Sequence, residues 1–165
     1  MFGTLKEKLG LGKKANDVLG APVKGNAVAI SEVSDPTFGE EILGKGIAII
    51  PTVGKVVAPA DGVVDMVFDT KHAISMTSAT GIEILIHVGL DTVTLKGEPF
   101  TAHVKAGDTV KAGDLMLEFD IEAIKAAGLD TITPMVICNS DNYAEITTNV
   151  GKDVNTGDVV LTLNK

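Results

Sequence analysis

From Gly20 onward, short segments rich in Val, Ile and Thr alternate with Gly, Pro, Asp and Asn. The interruptions fall roughly every eight to twelve residues, the rhythm of strands separated by turns. The pattern predicts an all-β chain. Only residues 121–127 (IEAIKAA), closed by Gly128, and the brief stretch Asp141–Glu145 read as helical. Ahead of the strands, residues 1–17 place Phe2, Leu5 and Leu9 at helical spacing among Lys6, Lys8, Lys13 and Lys14, before a break at Gly20-Ala21-Pro22. This gives a flexible N-terminal arm over 1–17, with at most weak membrane-surface contact, and a single domain over 18–165.

Two internal echoes accompany this rhythm. GAPVKGNAV (20–28) is similar to VAPADGVV (57–64), and VKAGDTVKAGDLML (104–117) to VGKDVNTGDVVLTL (150–163). Repeated corners of a sheet would produce such echoes, and so would turn chemistry reached independently at each site.

Residues 67–93 (VFDTKHAISMTSATGIEILIHVGLDTV) hold two of the three histidines. Ile82, Ile84, Ile86 and Val88 alternate with period two and should point into a core, leaving Glu83, Leu85 and His87 on the opposite face. A hairpin centred between Ala79 and Thr80 would set His72 directly across from His87, with Cβ atoms roughly 4.5–5.5 Å apart. Thr70 would lean to the same side and orient the His72 ring through its hydroxyl, while Phe68, Ile74 and Leu85 surround the pair with apolar surface.

Such a pair suits phosphoryl transfer through nitrogen. A neutral imidazole with a pKa of about 6.5 is a nucleophile at cellular pH without a separate base. A second imidazole can hydrogen-bond the incoming phosphoryl oxygens, and an apolar rim keeps water from the reactive P–N bond. Backbone N–H groups of Gly89 and Leu90 would add donors. His103, after Thr101-Ala102 and near a Gly-Asp turn, reads as a surface loop or strand-edge residue.

Composition narrows the chemistry further. The 165 residues carry 14 Lys plus Arg against 22 Asp plus Glu, a formal charge of -8, which opposes nucleic acid and anionic lipid as partners. All the cations are lysine, so a phosphoryl group would be held by backbone N–H, His, Thr or a partner's arginine. Cys138 is the single cysteine, and its neighbours Met135, Val136 and Ile137 place it in a core rather than in chemistry. No apolar run reaches the roughly 18 residues of a membrane span, and no secretory signal opens the chain, so a cytoplasmic location is expected.

At these residues the sequence resembles the glucose-type enzyme IIA (EIIA) family of the bacterial phosphoenolpyruvate-dependent sugar phosphotransferase system. The likeness runs from about Ala21 to the C-terminus, through ILGKGIAIIPTVGKVVAPADGVV (42–64), TKHAIS (70–75), GIEILIHVGLDTVTLKGEPF (81–100) and VKAGDTVKAGDLMLEFD (104–120). It implies an antiparallel β-sandwich of two facing sheets and a phosphohistidine carrier without cofactor or bound metal. By position, His87 resembles the residue phosphorylated at Nε2, and His72 the neighbour that supports transfer, held by Thr70. Phe38, Ile42, Phe68, Leu85 and Val93 fall on the family's apolar docking rim, and Gly89 and Asp91 on its backbone and acidic contacts. The implied partners are the histidine-phosphorylated carrier protein (HPr) upstream and the cysteine-bearing IIB domain of a sugar permease downstream. Leu85 and Thr77 depart from the enteric members, which have an aromatic residue and an acid there. Met1 and the leader favour a free-standing subunit.

Three other readings compete. A zinc hydrolase of related sandwich type would need a third protein ligand, and no His-x-His motif supplies one. A biotinyl or lipoyl carrier would present a lysine at a hairpin tip flanked by methionine, a setting that no lysine here has. A regulatory binder without phosphotransfer is at odds with the intact His72, His87 and Thr70.

Overall fold

The computed structural model describes residues 17–165. Of the arm expected over 1–17, only Asp17 lies among them, and it opens the first strand. In chain order the strands are β1 (Asp17–Gly20), β2 (Gly25–Ala29), β3 (Lys45–Pro51), β4 (Lys55–Val57), β5 (Gly62–Val67), β6 (Ala73–Ser78) and β7 (Glu83–His87). They continue as β8 (Phe100–Ala102), β9 (Thr109–Val110), β10 (Leu115–Phe119), β11 (Thr133–Ile137), β12 (Glu145–Thr148), β13 (Lys152–Val154) and β14 (Val159–Asn164). Among the described residues, eight strands form one sheet in the order β9-β5-β6-β7-β11-β3-β2-β13, and two three-stranded sheets, β4-β10-β8 and β12-β14-β1, make up the rest. Neighbouring strands run antiparallel, as the family resemblance implied.

Period-two alternation sorts the large sheet into two faces. Ile47, Ile49, Ile74, Met76, Ile84, Ile86 and Met135 are buried in one core with Leu117 and Phe119 of one small sheet and Leu161 and Leu163 of the other. The second layer of the sandwich is thus divided between two small sheets. On the outer face Val28, Ala48 and Val136, with half-buried Leu85 beside them, form a second cluster under Ile30, Val33 and Phe38. Ile30 opens a 3-10 turn (Ile30–Glu32), Val33 follows that turn directly, and Phe38 belongs to helix α1 (Pro36–Gly39). Asp35 caps α1 by accepting the Thr37 N–H at 3.0 Å, and Pro36 fits the first helical position, where a missing N–H costs nothing. Sequence periodicity does not reveal so short an element, yet it decides what covers the sheet beside His87.

The echoes mark an internal two-fold. Ala21 donates to Asp158 O at 2.7 Å and Ala58 to Asp114 O at 2.9 Å, while Gly157 and Gly113 donate back to Ala21 O and Ala58 O. Across the axis, Gly20 donates to Pro59 O and Val57 to Pro22 O. The Gly113-Asp114 and Gly157-Asp158 turns hold the same places in each half.

Helix α2 (Ile121–Ala126) lies where the pattern predicted it, capped by Asp120, with Gly128 at φ 79° just beyond it. Of the stretch Asp141–Glu145, only Asp141 and Asn142 are helical. A 3-10 turn covers Ser140–Asn142, and Glu145 already belongs to β12. Cys138 is exposed, not a core residue; it is one position past the end of β11, outside the outer-face cluster that buries Val136. His103 is at the surface, as expected, its Nε2 2.8 Å from Glu118 Oε1. No helix among the described residues is long and apolar enough to cross a membrane.

Candidate functional site

Strand β7 alternates as its sequence dictates. Ile82, Ile84, Ile86 and Val88 are at most 1% exposed, whereas Leu85 and His87 are half-buried on the outer face. The register differs by one residue from the two-residue hairpin expected between Ala79 and Thr80. Thr77 pairs with Glu83, Ile74 with Ile86 and Ala73 with His87. The loop takes three residues, Ala79–Gly81, because Gly81 adopts φ 97° and lets Ser78 N–H bond Ile82 O. His87 therefore faces Ala73 in the ladder, and Ile74 points into the core instead of framing the site.

The two imidazoles meet nonetheless, through a device that strict alternation does not foresee. Residues 68–72 leave the ladder in a tight turn with Lys71 in the left-handed region (φ 59°) and its N–H on Phe68 O at 2.7 Å. His72 returns by accepting the Val88 N–H at 2.7 Å. Freed from strand geometry, its ring stands edge-on to His87, with centroids 4.8 Å apart and planes at 82°. Thr70 Oγ1 lies 2.6 Å from His72 Nδ1. Phe68 meets His72 at 5.4 Å, and Phe38 meets His87 at 4.9 Å.

His87 Nδ1 is 2.8 Å from the carbonyl of Gly89. A carbonyl only accepts, so Nδ1 carries the proton and Nε2 keeps its lone pair. Burial lowers the His72 pKa to about 4, with a further lowering from the His87 ring beside it. Burial also holds His87 below 6.5, opposed by the Gly89 carbonyl and by the nearby charges of Asp35 and Asp91. Both rings are neutral at pH 7. The arrangement offers one oriented nitrogen nucleophile beside a second imidazole, behind apolar side chains.

The Gly89 and Leu90 amides are not available as the expected donors. Gly89 N–H is bonded to Ile132 O and Leu90 N–H to Asp130 O, each at 3.0 Å. Gly89 contributes its carbonyl instead. Of the expected rim, Ile42 is 67% and Val93 49% exposed, Phe68 and Leu85 are half-buried, and Phe38 is buried against His87. Asp91 is exposed in the left-handed region at φ 60°. Asp35 escaped the sequence reading, although Asp-Pro ahead of a helical turn is a capping signal. Among the described residues, no group of three or more His, Cys, Asp and Glu is placed to hold a metal ion.

Residues 17–143 match the family described as "phosphoenolpyruvate-dependent sugar phosphotransferase system, EIIA 1". The chain is 49% identical to the glucose-specific EIIA component of Oceanobacillus iheyensis over 126 residues, 76% of each chain. It is 52% identical to the β-glucoside-specific EIIBCA component of Bacillus subtilis over 130 residues, 79% of this chain but only 21% of that longer protein. Its fold superposes on the glucose permease IIA of Mycoplasma capricolum with a TM-score of 0.83 at 32% identity, over 90% of this chain and 96% of the other. With the matched segment enclosing both histidines and the outer face they share, the chain belongs to the EIIA 1 family of the phosphoenolpyruvate-dependent sugar phosphotransferase system.

Proposed function

We propose that His87 takes a phosphoryl group from the histidine-phosphorylated carrier protein and passes it to the cysteine of a IIB domain of a sugar permease, in the cytoplasm. The observation that carries this reading is the His87 ring itself, its Nδ1 held by Gly89 O at 2.8 Å and its Nε2 left with a lone pair. In the first step Nε2 attacks phosphorus as the donor's P–N bond breaks and the donor imidazole leaves. In the second, the partner's thiolate attacks the same phosphorus, the P–N bond to His87 breaks, and neutral His87 is restored.

His72 supports both steps. With the Thr70 hydroxyl donating to His72 Nδ1, the ring proton sits on Nε2, where it can donate to a phosphoryl oxygen. Neutrality lets His72 stand beside His87 without electrostatic repulsion before the phosphoryl group arrives. Exposed Ile42 and Val93, with half-buried Phe68 and Leu85, supply the apolar docking rim. Asp35 and Asp91 favour a basic partner surface. Relatives near 50% identity are named for glucose in one case and β-glucosides in another, which supports glucose or a related sugar, chosen by the permease.

The test mixes the chain with phosphoenolpyruvate, the general enzyme of the system and the carrier protein. One acid-labile phosphoryl group per chain is expected, with none on His87→Ala. His72→Ala should take it up more slowly; an unchanged rate removes His72 from the mechanism, and uptake by His87→Ala overturns the whole reading.

A further inference from the structure

The hydrogen bond that fixes the His87 tautomer is only as good as the aim of the Gly89 carbonyl, so the groups that hold Gly89 matter. Gly89 has φ 74°, and the peptides on either side of it are both clamped. The peptide between Gly89 and Leu90 presents its C=O to His87 Nδ1 and its N–H to Asp130 O at 3.0 Å. The peptide between Val88 and Gly89 gives its N–H to Ile132 O at 3.0 Å, and its C=O accepts the hydroxyl of Thr92. The partner on the C=O side is thus a single side chain.

Thr92 is fully buried. It opens the 3-10 turn Thr92–Leu95 directly after Asp91, whose φ of 60° turns the chain so that Thr92 meets Val88 and Gly89. Its methyl sits against Gly89 so closely that a Cβ built there would lie 2.6 Å from Thr92 Cγ2. The methyl packs against Gly89 and the hydroxyl holds the carbonyl of the residue before it, while Ile132 O and Asp130 O accept the two flanking N–H groups.

We infer that Thr92 is a positioning residue for phosphoryl transfer, its hydroxyl holding the Val88–Gly89 peptide so that the Gly89 carbonyl keeps the His87 proton on Nδ1 and the reactive lone pair on Nε2. The inference rests on His87 being the nucleophile. Thr92 touches neither phosphoryl group nor partner; it acts through the peptide. Without the hydroxyl, the buried Val88 carbonyl loses its acceptor role, the peptide rocks, and the Nδ1–H tautomer loses its preference.

Thr92→Ser and Thr92→Ala test this together, because both lack the methyl and only serine keeps the hydroxyl. The first readout is the 15N chemical shift of the His87 ring nitrogens in the unphosphorylated protein at pH 7.5, which reports the tautomer without any transfer. Wild type and Thr92→Ser should show one tautomer with the proton on Nδ1, and Thr92→Ala a mixture. The second readout is phosphoryl uptake from the carrier protein, expected to fall about tenfold in Thr92→Ala and to stay within about twofold in Thr92→Ser, tenfold being ~1.4 kcal/mol of lost alignment. A single Nδ1–H tautomer in Thr92→Ala, or equal tautomer mixtures in the two variants, overturns the inference. Uptake by a His87→Ala control would instead remove the nucleophile assignment, leaving the tautomer result to judge what Thr92 does to the ring.

Discussion

Gly89→Ala puts the clamp on the nucleophile under direct strain, and the structure supplies the magnitude. An added Cβ would meet Thr92 Cγ2 at 2.6 Å and Asp130 O at 2.7 Å, on a residue at φ 74°. The left-handed backbone alone costs a non-glycine residue about 1–2 kcal/mol. Overpacking a buried, clamped position adds about 1–3 kcal/mol, since neither the backbone oxygen nor the fully buried threonine can move freely. Gly113→Ala is the matched control: φ there is 93° and nothing lies within 4 Å of the built Cβ, so only the backbone cost remains. Urea unfolding of the two variants should therefore separate them by about 1–3 kcal/mol, Gly89→Ala being the less stable. Phosphoryl uptake should fall in Gly89→Ala and stay at the wild-type level in Gly113→Ala. Equal unfolding midpoints, or Gly89→Ala with undiminished uptake, would refute the packing argument.

Other consequences follow from burial and charge. His72 binds its proton near pH 4 in the folded chain and near 6.5 when unfolded, so between these values the unfolded state holds more protons and stability falls as pH is lowered. The loss should reach about 3 kcal/mol by pH 4, and unfolding curves from pH 7.5 to 4 should be less steep in pH for His72→Gln; parallel slopes would contradict the assignment. Phe38→Ala removes a buried ring from both the outer cluster and the His87 face, and should cost about 3 kcal/mol in thermal or urea unfolding. Ile42→Asp, at a side chain 67% exposed, should leave stability within about 0.5 kcal/mol while raising the KM for the carrier protein; an unchanged KM removes Ile42 from the docking rim.

Much of this site was legible in the sequence because period-two alternation is strict where a strand has one buried face. Ile82, Ile84, Ile86 and Val88 are all buried, and that fixes the side of the sheet from which Leu85 and His87 emerge. What alternation cannot give is geometry where the ladder stops. The register depended on whether Gly81 sits outside a two-residue turn or inside a three-residue loop, and its φ of 97° decides for the latter. The meeting of His72 and His87 depends on Lys71 entering the left-handed region, a state that a lysine in sequence does not announce. Thr70 was readable because a hydroxyl two residues from an imidazole is a local relationship. Asp35 and Thr92 were not, since they approach His87 through a four-residue helix and a 3-10 turn too short to leave a periodic signal. Cys138 shows the limit of neighbourhood: three buried residues precede it, yet one step past the strand end leaves it exposed, outside the outer-face cluster.

The most direct measurement of the central claim is 15N and 31P NMR on the uniformly 15N-labelled chain after phosphorylation by its carrier protein. The account predicts one phosphorus, coupled to Nε2 of His87, with the Nδ1 proton still present and His72 unmodified. Phosphorus on His72, on Nδ1 of His87 or on any other residue would contradict it.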